Sequence, residues 1–365
     1  MFRLEVNHRP RFCLENLLHT NQERIMEKKR IFSKVSIVIA SLAILLLAGT
    51  AHAAEFTKIN VRLSTNGTDL ANDTRAAKIF AKKIGEKTNG AVKVQVFTNE
   101  QLAGGNFAKG VSMLSQGIID MAVYSTSPLS ALDDRLMVST MPWALASYDE
   151  AEKLFLPENS GGQFITSVLK EKGLVYLGAT HNGFKAMTNG KRAIRAPEDL
   201  QGMKVRVPGG ALFMDFYRAL GADPVAMSWG EVFTALQQGT IDGHDNSLST
   251  INSANVFEVQ KYISITGHAY EAFTFSINER KFKQMNEATQ KLFGETLVEA
   301  CLEMNAMAVK EEQSIREKFA AAGCEIIDVT PENLAKFKEA VRVPVTQKYG
   351  EKYGKDACAA FNITF

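Results

Sequence analysis

The chain has 365 residues, with 42 Lys and Arg against 40 Asp and Glu, and a formal net charge of +2. A balance so near neutrality supplies no basic field for nucleic acid, and neither an acidic tail nor a low-complexity tract is present. Once a leader is set aside, roughly 310 residues remain, enough for two domains with a core each.

The leader comes first in chain order. Lys28-Lys29-Arg30 precedes an apolar run from Val35 to Gly49, and Ala51-His52-Ala53 precedes Ala54. A basic region, an apolar segment too short for a stop-transfer helix and an A-x-A site predict a signal peptide cleaved after Ala53. A hydrophobic anchor is the competing reading. Leu47-Ala48-Gly49 approaches a lipoprotein signal, but Thr50 stands where the lipidated cysteine belongs, so a free exported protein is expected. The polar stretch before Met26 has no apolar period, which points to Met26 as the initiator and puts Cys13 outside the protein.

Lys58–Leu63 alternates as a strand, Asn72–Lys87 places Ala76, Ala77, Phe80, Ala81 and Ile84 on one helix side, and Asn89-Gly90 turns into the strand Ala91–Phe97. This βαβ unit implies a mostly parallel sheet. Phe107–Gln116 reads as helix, Ile118–Val123 as an apolar strand and Tyr148–Phe155 as helix. A second series starts near Gly183, with Asn182-Gly183-Phe184-Lys185 as a polar loop. Pro197–Leu200 forms a helical turn, Lys204–Val207 a strand, Ala211–Leu220 a helix and Pro224–Met227 a strand. Ser228-Trp229-Gly230-Glu231 fits a capping box for a helix running to Gln238. From Asn286 to Ala322 the main breaker is Gly294, which predicts one helix of about 35 residues, some 50 Å long, lying across two domains.

Motifs for catalysis are missing: there is no G-x-S-x-G, H-E-x-x-H or phosphate-binding loop, and Gly104-Gly105 and Gly161-Gly162 belong to no G-x-G-x-x-G. His244 and Asp245 are adjacent on a strand and so face opposite ways. No enzyme, cofactor or metal site is expected. Cys324 and Cys358 could pair in an oxidising compartment, with Cys301 left on an apolar helix face.

Arg206 is the leading candidate for chemistry. At the end of a strand, beside Gly209-Gly210, its guanidinium is a rigid fork that meets a carboxylate with two parallel hydrogen bonds. The alternative is a surface salt bridge to Glu198 or Asp199. Lys185 is either a second positive charge for the same ligand or a solvated lysine. Trp229 is either a flat apolar wall for a solute or core filler. Asn246 offers a donor and an acceptor together, though turn chemistry alone also explains it.

These residues lie in one run, "NGKRAIRAPEDLQGMKVRVPGG…LFMDFYRALGADPVAMSWGEVFTALQQGTIDGHDNSLSTINSANVFEVQKYISITGH". It strongly resembles the solute-binding proteins of tripartite ATP-independent periplasmic (TRAP) transporters, and the likeness extends more loosely from about Lys58 to the C-terminus. "NEQLAGG" near Asn99 and "MPWALASYDEAEKLF" from Met141 belong to it. The resemblance implies an α/β, two-domain periplasmic-binding-protein fold with hinge strands and one long helix spanning both domains. Domain I is expected to comprise 54–182 and 272–310, and domain II 183–271 and 311–365. Arg206 matches the family arginine that binds the solute carboxylate, Asn246 the asparagine on that same carboxylate, and Trp229 a position that is usually aromatic. Lys185 replaces a common arginine, and His244-Asp245-Asn246 replaces the commoner Gln-Glu-Asn. In relatives that bind sialic acid, a Glu and an Arg follow the strand that here continues as Tyr124-Ser125-Thr126-Ser127-Pro128. Ser125 and Pro128 take those places, which argues against that substrate.

The implied function is a periplasmic receptor for a carboxylate-bearing solute, working with a small and a large integral membrane subunit and no nucleic acid. A sugar acid such as a uronate is favoured, with Trp229 as stacking face and Ser125, Thr126, His244 and Asp245 meeting hydroxyls. A C4-dicarboxylate held by Lys185 comes next. The receptor of an ATP-driven importer and a periplasmic enzyme acting on an organic acid are the alternatives.

Overall fold

The computed structural model describes residues 56–365, together with Met26. The leader, its cleavage site and Cys13 lie outside the described residues.

Strand β1 (Ile59–Thr65), helix α1 (Asn72–Lys87) and strand β2 (Val92–Phe97) form the expected βαβ unit, with β1 and β2 parallel from Ile59↔Val92 to Ser64↔Phe97. Helix α1 buries Ala76, Ala77, Phe80 and Ile84, the stripe its periodicity predicts. Helix α2 (Phe107–Gln116) is capped by the Asn106 side chain and stops at Gly117, whose φ of 77° suits glycine. Strand β3 (Met121–Ser125) starts later than its apolar run suggests, because Ile118 faces solvent. It also ends at Ser125: the chain turns at once into α3 (Thr126–Leu129) instead of continuing as strand. Helices α4 (Tyr148–Phe155) and α5 (Ser160–Lys170) follow.

Strand β4 (Leu174–Asn189) runs straight through the segment expected to be a polar loop. It absorbs Asn182 as a bulge: the register jumps from His181↔Ala272 to Gly183↔Glu271, and Gly183 takes a φ of 123°. Then come β5 (Lys204–Val207), α6 (Ala211–Ala219), β6 (Asp223–Ala226), α7 (Trp229–Gln237), β7 (Gly243–Ser247) and α8 (Leu248–Ser253). The capping box at Ser228 does not form; the Glu231 N–H goes to the Ser228 carbonyl, and the serine side chain makes no cap bond. The chain continues with β8 (Tyr262–Ile265), β9 (Tyr270–Asn278), α9 (Glu279–Phe282), α10 (Glu287–Ala321), β10 (Glu325–Asp328), α11 (Pro331–Val341), α12 (Lys348–Tyr353) and α13 (Lys355–Ala360).

The strand order is β2-β1-β3-β9-β4-β7-β5-β6, with β8 also on β4 and β10 on β8. The sheet is mixed, not mostly parallel. β1, β2 and β3 run together, as do β5, β6 and β7, but β9 and β7 both lie antiparallel to β4. The two parallel sets therefore point at each other. Ser125 at the end of β3 pairs with Phe273, which pairs with Thr180, while Ser247 at the end of β7 pairs with Lys185. Both sets of carboxyl ends converge on Thr180–Lys185 of β4.

Helix α10 spans 35 residues, about 50 Å. Phe293, Leu297, Ala300, Cys301 and Met304 join the core beneath β1 and β9. Ile315 and Phe319 join a separate core with Val232, Leu236 and Ile263. Asn305 lies between these groups, and its Oδ1 accepts the Thr180 hydroxyl and the His181 N–H, both at 2.8 Å. Cys324 and Cys358 are free thiols and do not pair: Cys358 is buried in the largest cluster, while Cys324 packs against the core around Phe319.

Glu100, at the end of the turn after β2, is buried. Its Oε1 accepts the Tyr124 hydroxyl at 2.6 Å, but Oε2 has no hydrogen-bond partner among the described residues. Burial pushes its pKa from 4.5 to about 7. The folded state therefore binds a proton that the unfolded state has released, and stability falls as pH rises from 4.5 to about 7. Glu100→Gln removes this loss. Urea unfolding at a series of pH values should show the variant gaining on the wild type across that window, by roughly 3 kcal/mol at most.

Candidate ligand-binding site

A cavity opens where the strand ends meet, at the carboxyl ends of parallel strands, where open α/β sheets bind ligands. One wall comes from the β1–α1 loop, with Asn66 and Gly67, and from Phe107, Ser125 and Pro128. The other comes from Arg206, Pro208, Trp229, Asn246, Thr250 and Ser253, and the floor from Asn182, Lys185, Glu271 and Phe273. Gly67 has to be glycine, since a Cβ there would lie 2.4 Å from both Asp73 Oδ1 and Ala71 Cβ.

Arg206, on β5, is only 2% exposed. Its Nε and Nη2 donate to the Met227 carbonyl at 2.9 and 2.8 Å, which leaves the Nη1–Nη2 end of the fork for a carboxylate. The surface salt bridge does not form: Asp199 accepts the N–H groups of Arg195 and Ala196 within its own turn. The guanidinium carbon stands 5.5 Å from the centre of the Trp229 ring. Burial lowers the arginine pKa to about 10, with partial compensation from the charges of Asp245, Glu271 and Glu231, so the group stays cationic at neutral pH. Trp229 lines the cavity, and its ring also packs on His244, with centroids 5.8 Å apart. Asn246 lines the cavity and accepts the Ser247 N–H through Oδ1 at 3.0 Å. Ser125 lines it too. Gly209 and Gly210 instead border an adjoining groove with Met227 and Ser228.

Lys185 is no solvated loop lysine. It is 2% exposed in the middle of β4, and its Nζ lies 3.1 Å from Asp245 Oδ1 and 3.0 Å from Glu271 Oε2. Burial opposes its charge, but these two carboxylates outweigh burial and raise its pKa. Burial likewise pushes Asp245 up, yet the Lys185 charge and a hydrogen bond from His268 hold it well below the usual carboxylate range. Asp245 Oδ2 also accepts the Tyr217 hydroxyl at 3.0 Å. A second ligand carboxylate would thus find Lys185 already paired.

Three expected ligand contacts fall outside the cavity lining. His244 and Asp245 are wholly buried because β7 is covered on both faces. His244 Nδ1 meets the Thr188 hydroxyl at 2.6 Å, and burial together with the Arg206 charge lowers its pKa to about 3. Thr126 is buried in α3. The residues missed from sequence include Asn66, Asn182 and Glu271. Glu271 did carry a signal, as the one carboxylate inside the otherwise uncharged strand Tyr270–Asn278. Asn182 sits at the bulge, and its Oδ1 accepts the hydroxyls of Ser247 and Thr250 at 2.9 and 2.8 Å.

Residues 63–352 match the family described as bacterial extracellular solute-binding protein, family 7. The chain belongs to that family. Three solved TRAP periplasmic solute-binding proteins are similar to it along nearly their whole length. One from Ralstonia eutropha, holding (S)-2-acetolactate, is 28% identical with a TM-score of 0.78 and covers 83% of this chain and 98% of its own. One from a Polaromonas species, bound to D-erythronate, is 27% identical with a TM-score of 0.77, covering 83% and 97%. One from Sulfurospirillum deleyianum, with succinate, is 26% identical with a TM-score of 0.77, covering 84% and 99%. The fold is accordingly the two-domain α/β fold of these binding proteins, and the family is periplasmic, made of transport components that bind organic acids.

The Lys185 cluster makes a stability prediction. Lys185→Met leaves two buried carboxylates without their cation and should destabilise the fold by roughly 3–5 kcal/mol. Equilibrium denaturation at neutral pH measures it, and a loss below about 1 kcal/mol would contradict the pairing described.

Proposed function

We propose that this protein is the receptor of a TRAP transporter that captures a small carboxylic acid through Arg206 and passes it to a small and a large membrane subunit. One observation carries the reading: among the described residues lining the cavity, Arg206 is the cation with no carboxylate partner. Asn246 adds a neutral hydrogen-bonding group beside it, and Trp229 supplies a flat apolar wall. Export follows cleavage after Ala53.

A sugar acid is the favoured ligand. D-Erythronate and acetolactate, held by two of the relatives, are hydroxylated monocarboxylates, and a uronate belongs to the same chemistry with a ring to lay on Trp229. The succinate-bound relative favours a C4-dicarboxylate as the second reading. We take residues 54–182 with 272–310 as one lobe and 183–271 with 311–365 as the other. The last helix reaches back, since Phe361 packs on Phe155 and Phe164. A ligand that touches both walls binds the closed arrangement better and shifts the population towards it.

The test is a thermal-shift screen of ligand-free protein against aldonates, uronates, C4-dicarboxylates and 2-oxo acids, followed by calorimetry on Arg206 variants. A ligand at about 100 times its Kd adds roughly 2.7 kcal/mol and moves the midpoint by a few degrees. Arg206→Ala should abolish saturable binding, and Arg206→Lys should keep a weak remnant, because an ammonium carries the charge without the fork. Unchanged affinity in the alanine variant would remove the basis of the reading.

A further inference from the structure

We propose that Glu271 sets the specificity of the cavity, accepting a ligand hydroxyl and repelling a second carboxylate, so that hydroxy-monocarboxylic acids enter and C4-dicarboxylates are turned away. The inference rests on Arg206 as the carboxylate anchor.

Glu271 is 2% exposed and lines the cavity from β9. Its Oε1 accepts the Ser127 N–H at 3.1 Å and also the Ser127 hydroxyl, and Oε2 accepts Lys185 Nζ at 3.0 Å. A carboxylate offers about four lone-pair sites. Three are taken, and one remains for a donor brought by the ligand. An aliphatic acid lacking hydroxyls has nothing to place there.

Charge points the same way. Among the described residues the buried cations at the floor are Arg206 and Lys185, and the buried anions there are Asp245 and Glu271. His244 and His268 are held neutral by burial. The floor is therefore balanced before a ligand arrives. One ligand carboxylate on Arg206 adds one uncompensated negative charge, and a second, with Lys185 already shared by two carboxylates, would face Glu271. Like charges brought together out of water are strongly unfavourable, and specificity is commonly obtained by such repulsion.

A four-carbon series tests this: butanoate, D-erythronate with added hydroxyls, and succinate with a second carboxylate, each titrated calorimetrically into wild type, Glu271→Gln and Arg206→Ala. Wild type should bind D-erythronate at least about tenfold more tightly than either of the others, the scale of one hydrogen bond to a charged group. In Glu271→Gln the gap between D-erythronate and succinate should narrow by about tenfold or more. Identical ratios in the two proteins overturn the proposal. Should the glutamine variant not fold, wild type decides, and tighter binding of succinate than of D-erythronate overturns it. Wild type that binds none of the three overturns the substrate class. Full binding by Arg206→Ala is a separate failure, of the carboxylate anchor itself.

Discussion

The pairing of Lys185 with Asp245 and Glu271 is what the site depends on. It joins three strands, β4, β7 and β9, at the level where the two opposed sets of strand ends meet. A buried ammonium between two carboxylates is tolerated only because every partner is close and hydrogen-bonded. With Lys185 paired inside the protein, Arg206 is the lining cation without a carboxylate partner among the described residues.

The backbone prepares this arrangement. β4 passes through both halves of the sheet, and the bulge at Asn182 changes its register on β9 between them. The same residue ties the start of α8 to β4 through Ser247 and Thr250. On the outside, Asn305 of α10 takes hold of Thr180 and His181. The crossing strand is thus held from the cavity side by one asparagine and from the helix side by another.

Much of the fold was legible in the sequence, and the reason is local. Helices α1, α2 and α4 begin and end where the local pattern places them, because that signal comes from neighbouring residues. The long helix was visible from its scarcity of breakers. The errors came from long range. Asn182-Gly183 looks like a turn, yet pairing with β9 keeps it extended. Lys185 finds a partner 60 residues away in Asp245, and no motif encodes such a meeting. Arg206 and Asn246, singled out because strand ends are readable, do line the cavity. The full burial of His244 and Asp245 could not be read, because the covering of both faces of β7 depends on neighbours far along the chain.

The position of β9 between β3 and β4 has a consequence for how the chain is made. Thr274 of β9 donates to the Tyr124 carbonyl across a gap of 150 residues. Until that late strand arrives, β3 is an open edge carrying Met121, Ala122 and Val123, all wholly buried in the finished molecule. Distant pairings of this kind form slowly, and an unpaired apolar edge invites pairing with other chains. The first sheet can close only after most of the polypeptide has emerged. Assembly of the half that begins the chain is therefore governed by a segment near its end, and a truncated product would expose a sticky, incomplete sheet.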